Sequence, residues 1–294
     1  MVSESMLHAA VEGDGELLRL KRLLQGGRVL VLTGAGCSTE SGIPDYRDLN
    51  GNWKRRQPVK YQDFMRSDAV RRRYWARSFF GWPQLADAIP NHAHRALAQL
   101  EQSQHVHFLV TQNVDGLHQK AGSRKVLNLH GCMDRVVCMT CGAKSLRSDF
   151  QERLQSVNPQ WLGLAALHAP DGDADLEAAD FSAFDVPSCT HCSGILKPEV
   201  VFFGENVPSE RANEALQQVR QSNALLVVGS SLMVWSGFRF VRAARELGLP
   251  VAAVNLGRTR ADDMLDFKIR ASCGKVLSRA AEHFIHSAER KKSF

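Results

Sequence analysis

The chain has 294 residues, of which 44% are hydrophobic and 23% charged, with a formal charge of +6 at pH 7. That composition suits one large folded core with a smaller module attached. No apolar run approaches the ~20 residues of a membrane-spanning helix, and no nucleic-acid motif accompanies the basic clusters Lys54-Arg55-Arg56 and Arg71-Arg72-Arg73. Neither a membrane nor a specific nucleic acid is therefore expected as a partner, and the clusters read as solvated basic faces.

In chain order, Met1–Gly27 mixes Glu4, Glu12, Asp14 and Glu16 with Arg19, Lys21 and Arg22. This matches neither a signal peptide nor an acid-poor organellar presequence, and a cytoplasmic address is expected. Leu17, Leu20 and Leu24 recur at helical spacing and predict a packed first helix. Arg28–Thr33, His107–Thr111, Leu225–Ser230 and Val251–Asn255 are short apolar, β-branched runs, as in strands buried on both faces of a parallel sheet. Helical stretches at Pro208–Gln221 and Ser236–Leu247 separate the later runs. The alternation predicts an α/β fold with a doubly wound parallel sheet. Two stretches interrupt it. Gly51 to about Leu100 looks helical and is rich in Arg and aromatics, including Trp53, Tyr74, Trp75 and Trp82. Cys132 to about Gly194 is irregular, with an acidic, small-residue segment at Asp171–Asp180. Both read as insertions forming a smaller domain above the C-terminal sheet edge.

The first strand runs into Gly34-Ala35-Gly36-Cys37-Ser38-Thr39. Glycine here permits a sharp turn and close approach to a pyrophosphate, with the N–H groups of a following helix offered to the phosphates. A plain tight turn explains GxG about as well. The usual third glycine is replaced by Thr39, and no strand ending in an acidic residue follows ~20 residues on, where dehydrogenases grip a ribose. A dinucleotide bound here is not bound in the dehydrogenase manner.

Seven cysteines include the pairs Cys138-x₂-Cys141 and Cys189-x₂-Cys192. Four thiolates suit one tetrahedral zinc with no position left for water, so the site is structural. The 47 residues between the pairs exceed zinc-ribbon spacing and imply an insertion from Arg147 to about Pro187. Cys37 and Cys132 read as ordinary buried residues.

The run Gly34 to Arg47 (GAGCSTESGIPDYR) resembles the signature loop of the sirtuins. Gln112-Asn113-Val114-Asp115 is similar to their second signature, Leu129-His130-Gly131 to their catalytic segment, and Gly229-Ser230-Ser231 with Asn255-Leu256-Gly257 to their adenosine-side turns. The GIPDYR ending, Tyr74-Trp75-Ala76-Arg77, Gly81-Trp82-Pro83 and His130 to Arg135 resemble class II in particular. The resemblance implies a Rossmann-like NAD-binding domain (1–50, 101–131 and 195–294), a helical module (51–100) and a zinc-binding module (132–194). It implies NAD as co-substrate, one structural zinc, and acylated protein lysines as partners. The acyl group would pass to ADP-ribose with release of nicotinamide.

Residue by residue, the resemblance makes His130 the general base, since a ribose hydroxyl needs a base poised near neutrality. Asn113 would hold ribose and an ordered water. Asp115, with the backbone near Ile43, would hold the nicotinamide amide. The cofactor contacts would extend over Gly34, Ala35, Gly36, Ser38, Thr39, Gly42, Ile43, Asp45, Tyr46 and Arg47, over Gln112 to Asp115, and over Gly229, Ser230, Ser231, Asn255, Leu256 and Gly257. Cys273, just before the last strand-like run, would contact adenine through its backbone. Val201, Phe202, Phe203, Gly204 and Glu205 resemble the strand that pairs with an extended substrate peptide, a case of β-augmentation. Tyr74 and Arg77 lie three apart on a helix and share a face. In the desuccinylase branch a similar pair receives an acidic acyl chain. Rival activities are ADP-ribosyl transfer and removal of long or acidic acyl groups. Outside the family they are a nicotinamide-dependent dehydrogenase and a zinc-ribbon nucleic-acid binder, which leaves the glycine turn and His130 unexplained.

Overall fold

The first helix, α1 (Glu4–Gln25), stops at Gly26-Gly27, where Gly27 takes φ +66° and the chain reverses into β1 (Val29–Thr33). The computed structural model describes residues 4–55, 57–162, 167–168, 174–175 and 180–292, so Arg56 and most of the acidic segment 171–180 lie outside the described residues. After β1 come two 3₁₀ turns (Ala35–Cys37 and Thr39–Ser41), then α2 (Tyr61–Arg66), α3 (Asp68–Asp87), α4 (His92–Gln102), β2 (Val106–Thr111), the short α5 (Leu117–Lys120) and β3 (Val126–Asn128). A second region holds β4 (Gly131–Cys138), β5 (Lys144–Leu146), α6 (Arg147–Val157), the two-residue strands β6 (Leu167–His168) and β7 (Ala174–Asp175), and β8 (Leu196–Val200). The chain ends with α7 (Ser209–Arg220), β9 (Ala224–Val228), α8 (Trp235–Glu246), β10 (Val251–Val254), β11 (Phe267–Ile269) and α9 (Cys273–Lys292).

Six strands form one sheet in the order β11-β10-β9-β1-β2-β3, and every pairing is parallel. The period of two along each strand splits its side chains between two cores. Val29 and Val31 of β1 face a layer containing α1, α4 and α9, whereas Leu30 and Leu32 face α7 and α8. Each fully buried Val or Leu contributes roughly 1.5–3 kcal/mol, so sheet order and helix sides are fixed together.

Two expectations need correction here. Helix α4 packs against α9 and β2, and its Ala93, Ala96, Leu97 and Leu100 belong to the large-sheet core, so residues 92–100 do not sit with the helical insertion. The run after Cys273 is helix α9, not a strand. Val276, Leu277, Ala280, Ala281 and Phe284 recur at helical spacing on one buried face, a period the short apolar run conceals.

The second region is built on an antiparallel sheet, β5-β4-β8, covered by α2, α3 and α6. Trp75, Phe64 and Phe150 are fully buried in it, the Trp75 and Phe150 rings meet edge-on at 4.6 Å, and Trp75 Nε1 donates to the Leu196 carbonyl. Arg147 is also fully buried, its guanidinium 4.7 Å from the Trp82 ring and 5.4 Å from that of Trp75. Burial pushes its pKa down to about 9.

Candidate active site and metal centre

Strands β1 and β9 are neighbours, with β2 beyond one and β10 beyond the other. Chains leaving their carboxyl ends therefore diverge and open a crevice, the ligand position of doubly wound sheets. Two glycine turns meet in it. Gly36 N–H donates to the Gly229 carbonyl at 2.8 Å, and a Cβ on Gly36 would lie 2.9 Å from that oxygen. Gly229 has φ +59°, and a Cβ there would come within 2.2 Å of the Cys37 nitrogen. Only glycine lets these backbones touch. The helix expected directly after the turn is absent. Two 3₁₀ turns take its place, ended by left-handed Gly42 and by Pro44.

The second motif leaves the end of β2 beside this turn. Asn113 Nδ2 donates to the Gly34 carbonyl and to Ser38 Oγ, both at 3.0 Å, and Ser38 Oγ donates to Asp115 Oδ2 at 2.7 Å. Asp115 also accepts from the Leu117 N–H. Beneath Ser38 lie buried His94 and His118, with ring centroids 4.7 Å apart and His118 Nε2 2.9 Å from Thr33 Oγ1. Burial pushes both histidines below the usual imidazole range, so they stand neutral, and His94 Nε2 lies 3.5 Å from Ser38 Oγ.

His130 follows β3 at the same edge. Its Nδ1 lies 2.9 Å from the Gln112 carbonyl and its Nε2 2.8 Å from Ser236 Oγ. Burial drives its pKa down to about 4, Arg211 and Arg239 push the same way, and the Gln112 carbonyl opposes them. His130 is therefore neutral, with the carbonyl-facing nitrogen protonated and the other a free base. Ser236 was not singled out in the sequence. A serine at the start of a helix reads as a cap, and only tertiary folding brings it to His130.

One cavity of about 930 Å³ joins these elements. Its walls include Gly34, Ala35, Gly36, Ser38, Thr39, Ile43, Asp45, Tyr46 and Arg47, residues Gln112 to Asp115, His130, Gly229 to Ser231, Asn255 to Gly257, Cys273, and Val201 to Glu205. Every expected cofactor residue but Gly42 lines it. Gly42 is exposed and serves the turn through φ +82°. Burial pushes the Cys273 thiol up to about 12, which leaves it inert. Arg47 stacks 3.9 Å over Trp53, Asp45 pairs with Lys54, and Tyr46, Trp53 and Phe203 form an edge-on aromatic cluster. That cluster ties the first loop to the segment after β8.

Two substrate expectations change. Val201–Glu205 is not a strand in this chain: β8 stops at Val200, and Glu205 folds back to accept the Phe202 N–H while pairing with buried Lys197. Left-handed Gly204 completes the turn, and a single bridge joins Phe203 to Lys60. Tyr74 lines the cavity, but half-buried Arg77, three residues on, is not among its walls. Where the cavity meets the second core, it is lined by Ile43, Tyr74, Leu85, Met133, Val200 and Phe202.

The four knuckle cysteines converge, their sulfurs all within 4.8 Å of one another. Cys138 and Cys192 Sγ are 3.5 Å apart, and Cys141 and Cys189 Sγ 3.8 Å. A tetrahedron of Zn–S bonds of ~2.3 Å has edges of ~3.8 Å, so the set fits a closed, structural zinc site. His191 is not in the cluster.

Residues 34–236 match the Sir2 family, and the chain belongs to that family. It is 60% identical over 251 residues to "NAD-dependent protein deacetylase 2" of Bradyrhizobium diazoefficiens, covering 85% of this chain and 92% of that protein. It is 51% identical over 253 residues to "NAD-dependent protein lipoamidase sirtuin-4, mitochondrial" of Bos taurus, covering 85% and 80%. A solved structure described as Sir2 with a p53 peptide and NAD+ superposes with a TM-score of 0.74 at 31% identity, over 90% of this chain and 97% of that one.

Proposed function

We propose that the cavity is the active site of an NAD-dependent protein-lysine deacylase in which His130 is the general base. The carrying observation is the His130 ring. Its Nδ1 is anchored on a backbone carbonyl and its Nε2 is left unprotonated, at the edge where the glycine turns and the Asn113-Ser38-Asp115 network meet. NAD supplies the electrophilic ribose carbon when bound. The chain's own residues provide the close backbone at Gly36 and Gly229 for phosphates, Asp115 for a carboxamide, and Asn113 for a ribose hydroxyl. The four cysteines hold zinc away from this chemistry and brace β4 against the segment before β8.

Acylated lysines on proteins are the substrates, entering along Val201–Glu205. The apolar wall of Ile43, Tyr74, Leu85, Met133 and Phe202 suits a long hydrocarbon acyl chain, which it covers without burying a charge. The bovine relative's name, a lipoamidase, points the same way. Among the described residues no helix is long and apolar enough to cross a membrane, and we place the enzyme in the cytoplasm, with the large domain holding NAD and the inserted segments forming the small domain. The test is to incubate the pure protein with NAD and lysine peptides carrying acetyl, lipoyl, glutaryl and succinyl groups, and to identify products by mass. Nicotinamide release together with acyl-ADP-ribose supports the proposal; ADP-ribosylated protein with no loss of acyl groups refutes it.

A further inference from the structure

We infer that Ser236 is a second proton-handling group of this site, the hydroxyl through which His130 Nε2 exchanges protons with the cavity. The inference rests on the assignment of His130 as base. The Gln112 carbonyl, 2.9 Å from Nδ1, has lone pairs only, so Nδ1 carries the ring proton. A neutral imidazole then has one acceptor left, Nε2, and Ser236 Oγ at 2.8 Å donates to it. The serine has no competing duty. It is the second residue of α8, whose cap position is Val234, and no side-chain cap bond is made there. Among the described residues His130 is the hydroxyl's one hydrogen-bond partner.

Both Ser236 and His130 line the cavity. With its proton directed at Nε2, Oγ still offers lone pairs to a hydroxyl entering from the cavity. When that hydroxyl gives up its proton, a new O–H bond forms on Ser236 as the old Ser236 O–H breaks and an N–H forms on His130. The electron pair of the entering hydroxyl's broken O–H bond stays on the entering oxygen, that of the old Ser236 O–H stays on Oγ, and Ser236 ends neutral. The partial positive charge at the start of α8 favours the negative charge that passes through this oxygen. Arg239, one turn on, donates from Nε to the Ser236 carbonyl and so fixes that turn.

The test compares Ser236→Ala, Ser236→Thr and His130→Ala by kinetics, thermal unfolding and nitrogen-15 resonance of the His130 ring in the free protein. For Ser236→Ala the expected result is a kcat lowered about tenfold or more, the rate equivalent of one lost hydrogen bond. KM for NAD and the unfolding temperature should be unchanged. The Nε2 resonance should move toward that of a bare lone pair while Nδ1 stays in place, and Ser236→Thr should restore both kcat and resonance. An unchanged kcat, or a fall in kcat with an unmoved Nε2 resonance, overturns the inference. Turnover persisting in His130→Ala would instead overturn the assignment on which it rests.

Discussion

His130 should make the protein acid-sensitive by an amount that can be isolated. Its pKa is about 4 in the folded chain against 6.5 for the free side chain. As pH falls the unfolded chain takes up the proton first, so the stability due to a neutral His130 is complete above about pH 6.5 and is lost as pH falls toward 4. Evaluating the two titrations, the loss relative to high pH is roughly 0.2 kcal/mol at pH 7 and roughly 2 kcal/mol at pH 5. Other groups also titrate in this range, buried His94 and His118 among them, but His130→Ala cancels their contribution. Urea unfolding followed by tryptophan fluorescence at pH 7 and pH 5 gives four stabilities. Between those pH values the wild type should lose about 2 kcal/mol more than the variant. Any cost of the cavity left by the substitution is common to both pH values and drops out. Equal pH dependence in the two proteins would show that His130 is not held neutral by burial, and the argument for its free-base state would fail.

The same His130→Ala protein should lose ~10²- to 10⁴-fold in deacylation rate with its NAD affinity largely kept, since a general base contributes that much; near-normal turnover would refute the assignment. Cys138→Ala should release zinc, measured by a chelating dye, and lower the unfolding temperature of the β4–β8 region, because structural zinc supplies folding energy directly. A zinc-free variant with unchanged stability would contradict a structural role. Gly36→Ala should cost ~1–3 kcal/mol and weaken NAD binding, because its Cβ would meet the Gly229 carbonyl oxygen at 2.9 Å; calorimetric titration with NAD checks it, and an unaltered affinity counts against phosphate binding at this turn. Arg77→Met should leave the ratio of glutaryl to acetyl turnover unchanged, since Arg77 is not in the cavity wall; a selective loss on glutaryl-lysine would return Arg77 to the acyl pocket.

Four of the six strands of the large sheet were legible to within two residues, because β1, β2, β9 and β10 are apolar runs that stop at or just before Gly, Ser, Asn or Thr. The four zinc ligands were legible because two x₂-spaced cysteine pairs have little other use in a chain of this kind. His130 was singled out as a site residue only by resemblance: among eleven histidines its sequence neighbours, not its own chemistry, set it apart. The boundary at residue 100 was not legible, because the hydrophobic spacing of α4 says that a face is buried and not against which sheet. The run after Cys273 misled for a related reason, since a few consecutive apolar residues fit a strand or one turn of a buried helix equally.

By itself the sequence determined the parallel α/β class, the glycine turn, the four thiolates and the order of the motifs, all of which depend on residues close together in the chain. Only the tertiary structure decided which groups share a cavity. Ser236 lies 106 positions from His130, and Phe203 meets Tyr46 and Trp53 across more than 140 residues. Arg77 is kept out of the cavity wall though it shares a helix with Tyr74. Local propensity acts over a few residues, whereas these contacts are set by how the sheet edge and the antiparallel insertion pack, and that information is spread over the whole chain.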